Sequence, residues 1–262
     1  MEKLKNISTG PSKKENDNKE DYKAKTLELL GKMQTYQTQM YAQGRYSMLI
    51  VFQGMDASGK DGAVKHVFGP INPMGCQVTG FKVPSKEESA HDFLWRIHEH
   101  TPQRGMIEIF NRSHYEDIIV PTLNGDMDKE KRETMYRHIN DFEELLTDND
   151  TVILKFLLHV GKEAQDEKLR ERLTDPTKHW KHNDDDWSKK EKYDKMLDIY
   201  DDMIEATDTK HAPWIVIPTD KNRYKSYLIA EAVVDAFEKR MKLEWPELDT
   251  EMTIVELEKE ED

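Results

Sequence analysis

A glycine-rich segment at residues 54–62 constrains the fold of this chain more than any other feature of its sequence. It reads GMDASGKDG, follows the apolar run 46–52 and precedes residues 63–68, whose apolar positions have helical spacing. Between a strand and a helix, glycines let backbone N–H groups turn toward an anion, and the helix start adds partial positive charge. Because Lys60 adds a full positive charge, we predict a phosphate-binding loop. A plain glycine-rich turn is the alternative.

The residue after the loop lysine is Asp61, where a Ser or Thr hydroxyl usually binds magnesium. The metal must then be held by other oxygens, and Asp56 is the first candidate; a structural cap is its alternative role. The chemistry that the loop predicts is phosphoryl transfer assisted by Mg²⁺, or by Mn²⁺. The other predicted phosphate contacts of this segment are Gly54, Ala57, Ser58, Gly59, Asp61 and Gly62.

The 262 residues are enough for one large α/β domain, which we place at residues 23–245. Residues 1–22 are polar and are expected to be disordered, and residues 246–262 form an acidic tail. The net charge of −13 argues against a general nucleic-acid or membrane-surface binder. Because nine acidic side chains lie within residues 244–262, the centre of the protein can still hold a basic groove.

Signals for secretion or membrane insertion are not found in the sequence. Cys76 is the only cysteine, which excludes an intrachain disulfide and fits a reducing compartment. No segment approaches the roughly 20 consecutive apolar residues that a spanning helix needs. We therefore expect a cytoplasmic protein.

Strands and helices are predicted to alternate along the chain. The predicted strands are 46–53, 77–83, 106–110, 151–158 and 214–217, and the predicted helices include 25–43, 87–100 and 128–146. Strands without polar alternation, such as 151–158, are typical of a parallel sheet covered on both faces. This pattern predicts a doubly wound, mostly parallel α/β fold with the phosphate loop at the carboxyl edge of the sheet.

Residues 162–206, between the last two strands, are charged and helical and are too long for a plain crossover. In a phosphoryl-transfer enzyme such an insertion indicates a helical lid. Arg170 and Arg172 cannot both face the cleft, because residues two apart on a helix point about 200° apart. The cations of this segment are Lys168, Arg170, Arg172, Lys178 and Lys181, although 178–182 also fits an ordinary solvated turn.

A second group of polar residues, Asn111, Arg112 and Asp117, follows the strand 106–110. Since the carboxyl ends of parallel strands meet at one edge, these side chains are expected near the loop, with Asp117 as a second metal ligand. The alternative for Arg112 is a structural ion pair with Glu116 or Asp117. A Ser113–His114 hydrolase site is excluded, because adjacent residues do not form a nucleophile and base pair.

Taken in order, several segments resemble the family-2 polyphosphate kinases over about residues 25–240. The matching segments are GMDASGKDG, FKVPSKEESAHDFLWR (81–96), IFNRSHYED (109–117), DPTKHWK (175–181) and APWIVIP (212–218). The resemblance implies a thymidylate-kinase-like phosphate-loop fold that moves phosphoryl groups between inorganic polyphosphate and nucleotides, with magnesium. The HYED ending resembles the branch that accepts nucleoside monophosphates as well as diphosphates, hence AMP, ADP and ATP.

Residue roles follow from the same match. The implied catalytic residues are Asp56, Lys60, Arg112 and Arg172, with Asp56 on the metal. Because a polyphosphate chain needs a basic groove, Lys65, Lys82, Lys86 and Arg96, which follow the loop in sequence, are candidates to line it, although they equally fit scattered surface cations. The other predicted substrate contacts are Asn111, Glu116, Asp117 and Lys181, and Asp117 is also the second predicted metal ligand. Three positions depart from the family pattern. Lys168 stands where an arginine is expected, and Asn222 and Ser226 stand where the family usually carries a lysine and an arginine. Lys221, Arg223 and Lys225 are close enough to supply the missing positive charge.

Two other functions use the same features. An ATP-dependent nucleoside monophosphate kinase would have the same loop and lid, and a nucleotide-sensing protein would bind without turnover. A homo-oligomer, dimer or tetramer, is expected, since the apolar residues of helix 25–43 suit a partner subunit as well as the chain's own core.

Overall fold

A five-stranded parallel sheet forms the centre of the protein, of which the structure, a computed structural model, describes residues 2–17 and 19–248. The strands are β1 (Ser47–Gln53), β2 (Cys76–Gly80), β3 (Ile107–Asn111), β4 (Thr151–His159) and β5 (Trp214–Pro218). Their order is β2-β3-β1-β4-β5, and every neighbouring pair is parallel. The predicted doubly wound fold is therefore confirmed.

Helices cover both faces of this sheet. They are α1 (Lys13–Asp17), α2 (Lys19–Gln43), α3 (Lys60–Ala63), α4 (Trp95–His98), α5 (Glu116–Asn124), α6 (Lys129–Asp148), α7 (Lys162–Thr174), α8 (Asp185–Glu191), α9 (Tyr193–Thr207) and α10 (Asn222–Arg240). A π-helical turn, Val64–Phe68, continues α3, and 3₁₀ turns lie at Leu4–Asn6, Pro73–Gly75, Glu88–Ala90 and Pro176–Lys181. None of the helices described is long and apolar enough to cross a membrane.

Successive side chains of β1 point to opposite faces of the sheet, so the core has two parts. Met48, Ile50 and Phe52 pack with α2 and α10 on one face, whereas Leu49 and Val51 pack with α5, α6 and α9 on the other. All seven residues of β1 are buried, as expected of a central parallel strand. After β1 the chain forms β2 and β3 on one side of β1, and it then crosses over to form β4 and β5 on the other side. This reversal places the topological switch point of the sheet at the carboxyl end of β1. Ligands of open α/β sheets bind in this crevice.

Two predicted elements are shorter in the structure. The strand predicted at 77–83 ends at Gly80, because its partner β3 ends at Asn111, which pairs with Gly80. The helix predicted at 87–100 is divided into the 3₁₀ turn Glu88–Ala90 and α4. The division lies at Asp92, whose carboxylate accepts from the Leu94 N–H at 3.0 Å and so competes with helical pairing.

The N-terminal residues differ from the expected disordered lead at 1–22. Leu4 is fully buried in the core between β4 and α9, and its N–H donates to Asp201 Oδ1 at 2.9 Å. Residues 13–17 form α1, and α2 already begins at Lys19. The polar composition of this segment indicated disorder, but Leu4 fixes it to the core. The predicted acidic tail falls, from residue 249 onward, outside the described residues.

The lid is also shorter than predicted. Of the predicted lid at 162–206, the last segment is α9, whose Ile199, Met203 and Ile204 are buried in the core beside α5 and α6. An amphipathic helix with its apolar stripe in the core cannot swing as a lid. The elements that lie over the phosphate loop are α7 and the 3₁₀ turn Pro176–Lys181, with α8 behind them. Helix α2 packs on α10 through buried residues such as Met33 and Met40, while Leu27 and Tyr41 stay exposed.

Candidate active site

Residues 54–59 form a preset loop between β1 and α3. Gly54 has φ of +147°, and a Cβ there would lie 2.6 Å from the Leu158 carbonyl oxygen, so only glycine fits. Gly59 has φ of +93° and forms the N-cap of α3. Ala57 also has positive φ, at 62°, which is a strained conformation for a residue with a side chain. Backbone strain of this kind concentrates at functional sites.

Lys60 spans the inside of this loop. Its Nζ donates to the carbonyl oxygens of Gly54 at 2.6 Å and Met55 at 3.1 Å, and the residue is only 8% exposed. Burial, and next the nearby Arg112 guanidinium, lower the pKa of Lys60 to about 8. A phosphate at the loop would offset the cost of burying this ammonium.

Arg112 connects two carboxylates beside the loop. It donates to Asp56 Oδ1 at 2.5 Å and lies 3.5 Å from Glu116 Oε2. Burial would lower the pKa of Arg112, but the Glu116 and Asp56 carboxylates raise it overall. Arg112 has φ of +66°, which turns the chain sharply between β3 and α5 and brings Glu116 beside Asp56. The predicted proximity of Asp56 and Arg112 is therefore found, with Glu116 as a third member.

Asp61, the unusual residue after the loop lysine, joins three elements. Its carboxylate accepts from Asn111 Nδ2 at the end of β3, at 3.0 Å, and from Lys181 Nζ in the lid, at 2.5 Å. Although partial burial opposes it, these two partners lower the pKa of Asp61. The missing hydroxyl is thus replaced by a carboxylate that holds the lid against the loop.

We expect Asp61→Asn to loosen this lid contact. An ion pair this exposed is worth about 1 kcal/mol or less, so amide hydrogen exchange in residues 176–181 should rise about threefold to fivefold. Asp184→Asn is the matched control, because the Asp184 carboxylate is fully exposed and pairs only locally, with His182. Equal exchange in the two variants, measured by mass spectrometry, would contradict the tethering role.

Arg172, the implied closing arginine, lies on the lid without contacting the loop. It donates to Asp186 Oδ2 at 2.5 Å and to the Lys181 carbonyl oxygen at 3.1 Å, and so braces the turn that carries Lys181. As predicted, Arg170 points elsewhere, into solvent, where it pairs with Asp166.

Arg96 and Asp117 pair with each other. Arg96, 5% exposed, donates to Asp117 Oδ2 at 2.9 Å and to the Lys82 carbonyl oxygen at 2.9 Å. The buried Arg96 guanidinium therefore holds the Asp117 carboxylate, and the acid found with Asp56 on Arg112 is Glu116. The side chains of Lys65 and Lys82 are exposed, which fits surface cations.

Three residues near the loop were missed as site candidates or noted only in passing. Lys225, 1% exposed, donates to the Gly59 carbonyl oxygen at 3.0 Å, and burial and then Lys168 lower its pKa to about 8. Lys168 donates to the Thr219 carbonyl oxygen at 3.3 Å, and Gln165 to the Asp56 carbonyl oxygen at 2.9 Å. Two sequence signals point to Lys225: its place near the departures at Asn222 and Ser226, and its position in the first turn of the helix after β5, at the same sheet edge as the loop.

The residues present fit a magnesium ion that is bound together with substrate. Among residues 2–17 and 19–248, no three His, Cys, Asp or Glu side chains gather into an all-protein metal site. Mg²⁺ bound with phosphates needs only one or two carboxylates from the protein. The carboxylates of Asp56 and Glu116, both on Arg112, meet that requirement.

Comparisons with known proteins agree with this geometry. The chain matches the family described as Polyphosphate kinase 2 over residues 16–244. It is 40% identical to the AMP/ADP-polyphosphate phosphotransferase of Meiothermus ruber over 226 residues, covering 86% of this chain and 85% of the relative. It is 33% identical to the ADP-polyphosphate phosphotransferase of Rhodopseudomonas palustris, covering 88% and 84%.

A solved structure has the same fold. Polyphosphate kinase 2 from Arthrobacter aurescens superposes with a TM-score of 0.89 at 36% identity, covering 93% of this chain and 87% of the other. The chain therefore belongs to the polyphosphate kinase 2 family of enzymes.

Proposed function

We propose that this enzyme transfers the terminal phosphoryl group of inorganic polyphosphate to AMP and to ADP, reversibly, to give ADP and ATP. The names of its relatives support this reaction, and one observation carries it: cations lie on both sides of the loop. Arg112 lies on the β3 side, whereas Lys168 and Lys225 lie on the side of α7 and α10. Two polyanionic substrates that meet at one loop need this distribution of charge.

Catalysis follows from positioning and charge neutralisation. The acceptor is a phosphate oxygen that is already anionic, so no strong general base is needed. The new P–O bond forms to that oxygen, the bond to the bridging oxygen of the polymer breaks, and the shortened polyphosphate leaves as an anion. Lys60 and Arg112 stabilise the negative charge on the transferred group, and the lid turn with Lys181 excludes water.

Asp56 and Glu116 would hold the magnesium ion, in place of the predicted Asp56 and Asp117 pair. Magnesium, or manganese, held there would supply positive charge that offsets the negative charge of the substrates' phosphates. Arg112 holds both carboxylates in the ligand-free site, so it keeps them in place until a cation and phosphate share their charge.

The nucleoside part of the acceptor fits a cleft beside α5. This cleft has a volume of about 890 Å³ and begins at Asp117, the neighbour of Glu116 in sequence. Its lining includes four further carboxylates, which disfavour phosphate but can accept hydrogen bonds from an uncharged ribose or base: Asp92, Asp126, Asp128 and Glu130.

A cytoplasmic location and a homo-oligomeric state stay predictions.

A donor and acceptor matrix tests the proposed function. Purified protein would receive long-chain polyphosphate or ATP as the only donor, and AMP, ADP, GMP or GDP as acceptor, with products resolved by chromatography. We expect ADP and ATP to form from polyphosphate with AMP. Turnover with ATP and AMP alone would identify an ATP-dependent monophosphate kinase, and binding without turnover would identify a sensor.

The KM for polyphosphate should depend on pH through the two buried lysines. Lys60 and Lys225 lose their protons as pH rises through about 8, below the ordinary value near 10.5, so binding a polyanion above pH 8 requires proton uptake. The KM should rise up to about tenfold per lysine between pH 8 and 9. The free energy of unfolding should rise over the same pH range, because the unfolded lysines keep their protons up to their ordinary pKa near 10.5 and the unfolded state therefore binds more protons than the folded state. A KM that stays flat to pH 9.5 would contradict the depressed pKa values.

A further inference from the structure

Residues 2–12, named here the N-terminal strap, lie outside the segment that matches the family yet pack beside the active site. The family match begins at residue 16. The strap crosses the carboxyl ends of β4 and β5: the carbonyl oxygen of Ile7 lies 3.2 Å from His159 Nε2, and Leu4 is buried in the core. It therefore occupies a fixed position at the sheet edge that carries the phosphate loop.

Asp220, two residues before α10, connects the strap to the rest of the site. Its Oδ2 accepts from the Thr9 hydroxyl at 2.6 Å, and its Oδ1 accepts from the Gly161 N–H at 2.8 Å. Its own N–H donates to the Thr9 carbonyl oxygen at 2.9 Å. One half-buried side chain thus ties together the strap, the turn from β4 into α7 and the loop from β5 into α10.

Both of the segments tied by Asp220 lead to cations beside the phosphate loop. Gly161 is the N-cap of α7, which carries Lys168, and Lys168 donates to the carbonyl oxygen of Thr219. Lys225 lies in the first turn of α10 and donates to the Gly59 carbonyl oxygen. The spacing between the starts of α7 and α10 sets where these two ammonium groups lie relative to the loop.

We propose that the strap, through Thr9 and Asp220, positions Lys168 and Lys225 for the phosphate chain of the donor. The inference rests on the proposed function, since it assigns the side of α7 and α10 to polyphosphate. Thr9 and Asp220 act on the donor through Lys168 and Lys225, so they are positioning residues. The strap then determines affinity for the donor without touching the acceptor side, where Arg112 and Glu116 lie.

The test is Thr9→Val, which removes the hydroxyl and keeps the shape of the side chain. Loss of one hydrogen bond to a carboxylate should raise the KM for polyphosphate about fivefold or more, with kcat and the KM for ADP within about twofold. Thr9→Ser should have the wild-type KM for polyphosphate, because serine keeps the hydroxyl that donates to Asp220. Ser8→Ala is the matched control, since the exposed Ser8 hydroxyl bonds only within the strap, to Gly10.

Gly161→Ala provides a second route to the same result. A Cβ at Gly161 would lie 2.8 Å from Thr9 Oγ1 and 3.1 Å from Asp220 Oδ2, so the Thr9 hydroxyl must shift from its place beside Asp220 although no polar group is removed. We expect the same selective rise in the KM for polyphosphate. The inference is overturned if Thr9→Val behaves like Ser8→Ala, or if its kcat, both KM values and melting temperature all change together as in a simple loss of stability.

The same measurements separate this inference from the proposed function. Wild-type protein that turns over polyphosphate, together with a Thr9→Val variant of unchanged KM, rejects the strap's role alone. Wild-type protein that does not use polyphosphate at all rejects the proposed function, and with it the assignment of a donor side.

Discussion

Lys60→Met should lower kcat for phosphoryl transfer from polyphosphate to ADP by about 10³-fold, since removing one preorganised cation from such a site costs roughly 3 to 5 kcal/mol in the transition state. Stability should not fall with activity. Burial lowers the pKa of Lys60 to about 8, which means that the fold disfavours its charge. An uncharged side chain of similar length removes that penalty, so the melting temperature should stay equal or rise.

Two measurements decide this prediction: initial rates under saturating substrates and thermal unfolding of the ligand-free protein. Lys65→Met is the matched control, because Lys65 lies one turn further along the same helical segment with its side chain exposed. Its kcat should stay within about twofold of wild type. A Lys60→Met protein that is folded and retains near-normal turnover would reject the proposed mechanism.

Asp56→Asn has the second largest expected effect, and it tests the metal site. The substitution keeps size and hydrogen bonding but removes the charge that would hold magnesium. We expect kcat to fall about 10²-fold and the magnesium concentration for half-maximal rate to rise about tenfold or more. Glu116→Gln should shift the magnesium dependence in the same direction, because both carboxylates lie on Arg112.

Asp117→Asn distinguishes this arrangement from the metal pair predicted from the sequence. Asp117 accepts from the nearly buried Arg96 at 2.9 Å, so losing its charge should cost stability and leave the magnesium dependence unchanged. The measurement is a magnesium titration of the initial rate for each variant beside wild type. A magnesium shift in Asp117→Asn that equals the shift in Asp56→Asn would restore Asp117 as a ligand.

The two sets of results describe different properties of one site. Lys60 acts on the transferred group, and its loss should change kcat at every magnesium concentration. Asp56 acts through the metal, so part of its loss should be recovered at high magnesium. If both variants responded alike to added magnesium, the separation of roles between cation and carboxylate would fail.

Local features of the sequence were sufficient for the fold and for the centre of the site. The phosphate loop was predictable because glycine positions, the preceding apolar strand and the following helix are consecutive, and each has its own backbone preference. Arg112 was predictable because it directly follows a strand of the same parallel sheet, and strand ends of such a sheet meet at one edge. Neither inference needs any knowledge of distant contacts.

Predictions that depended on side-chain partners were less accurate. The pairing of Arg96 with Asp117, 21 residues apart, was not predicted, and their expected contacts with substrate and metal stay predictions. Helix α9 was assigned to the lid because its segment is rich in charge, although its apolar stripe lies in the core. Leu4 was hidden in a polar segment. In each case the deciding partner is remote in sequence, which no local pattern reports.

By itself, the sequence determined the parallel α/β architecture, the phosphate loop with Lys60 and the position of Arg112 beside it, because consecutive residues and their spacing specify them. Only the tertiary structure decided that Glu116 joins Asp56, that Asp61 tethers the lid, that Lys225 reaches the loop and that the strap reaches Asp220. Those arrangements join groups 60 to 211 residues apart in sequence. Packing brings such groups together, and the resulting burial and charge then set their chemistry.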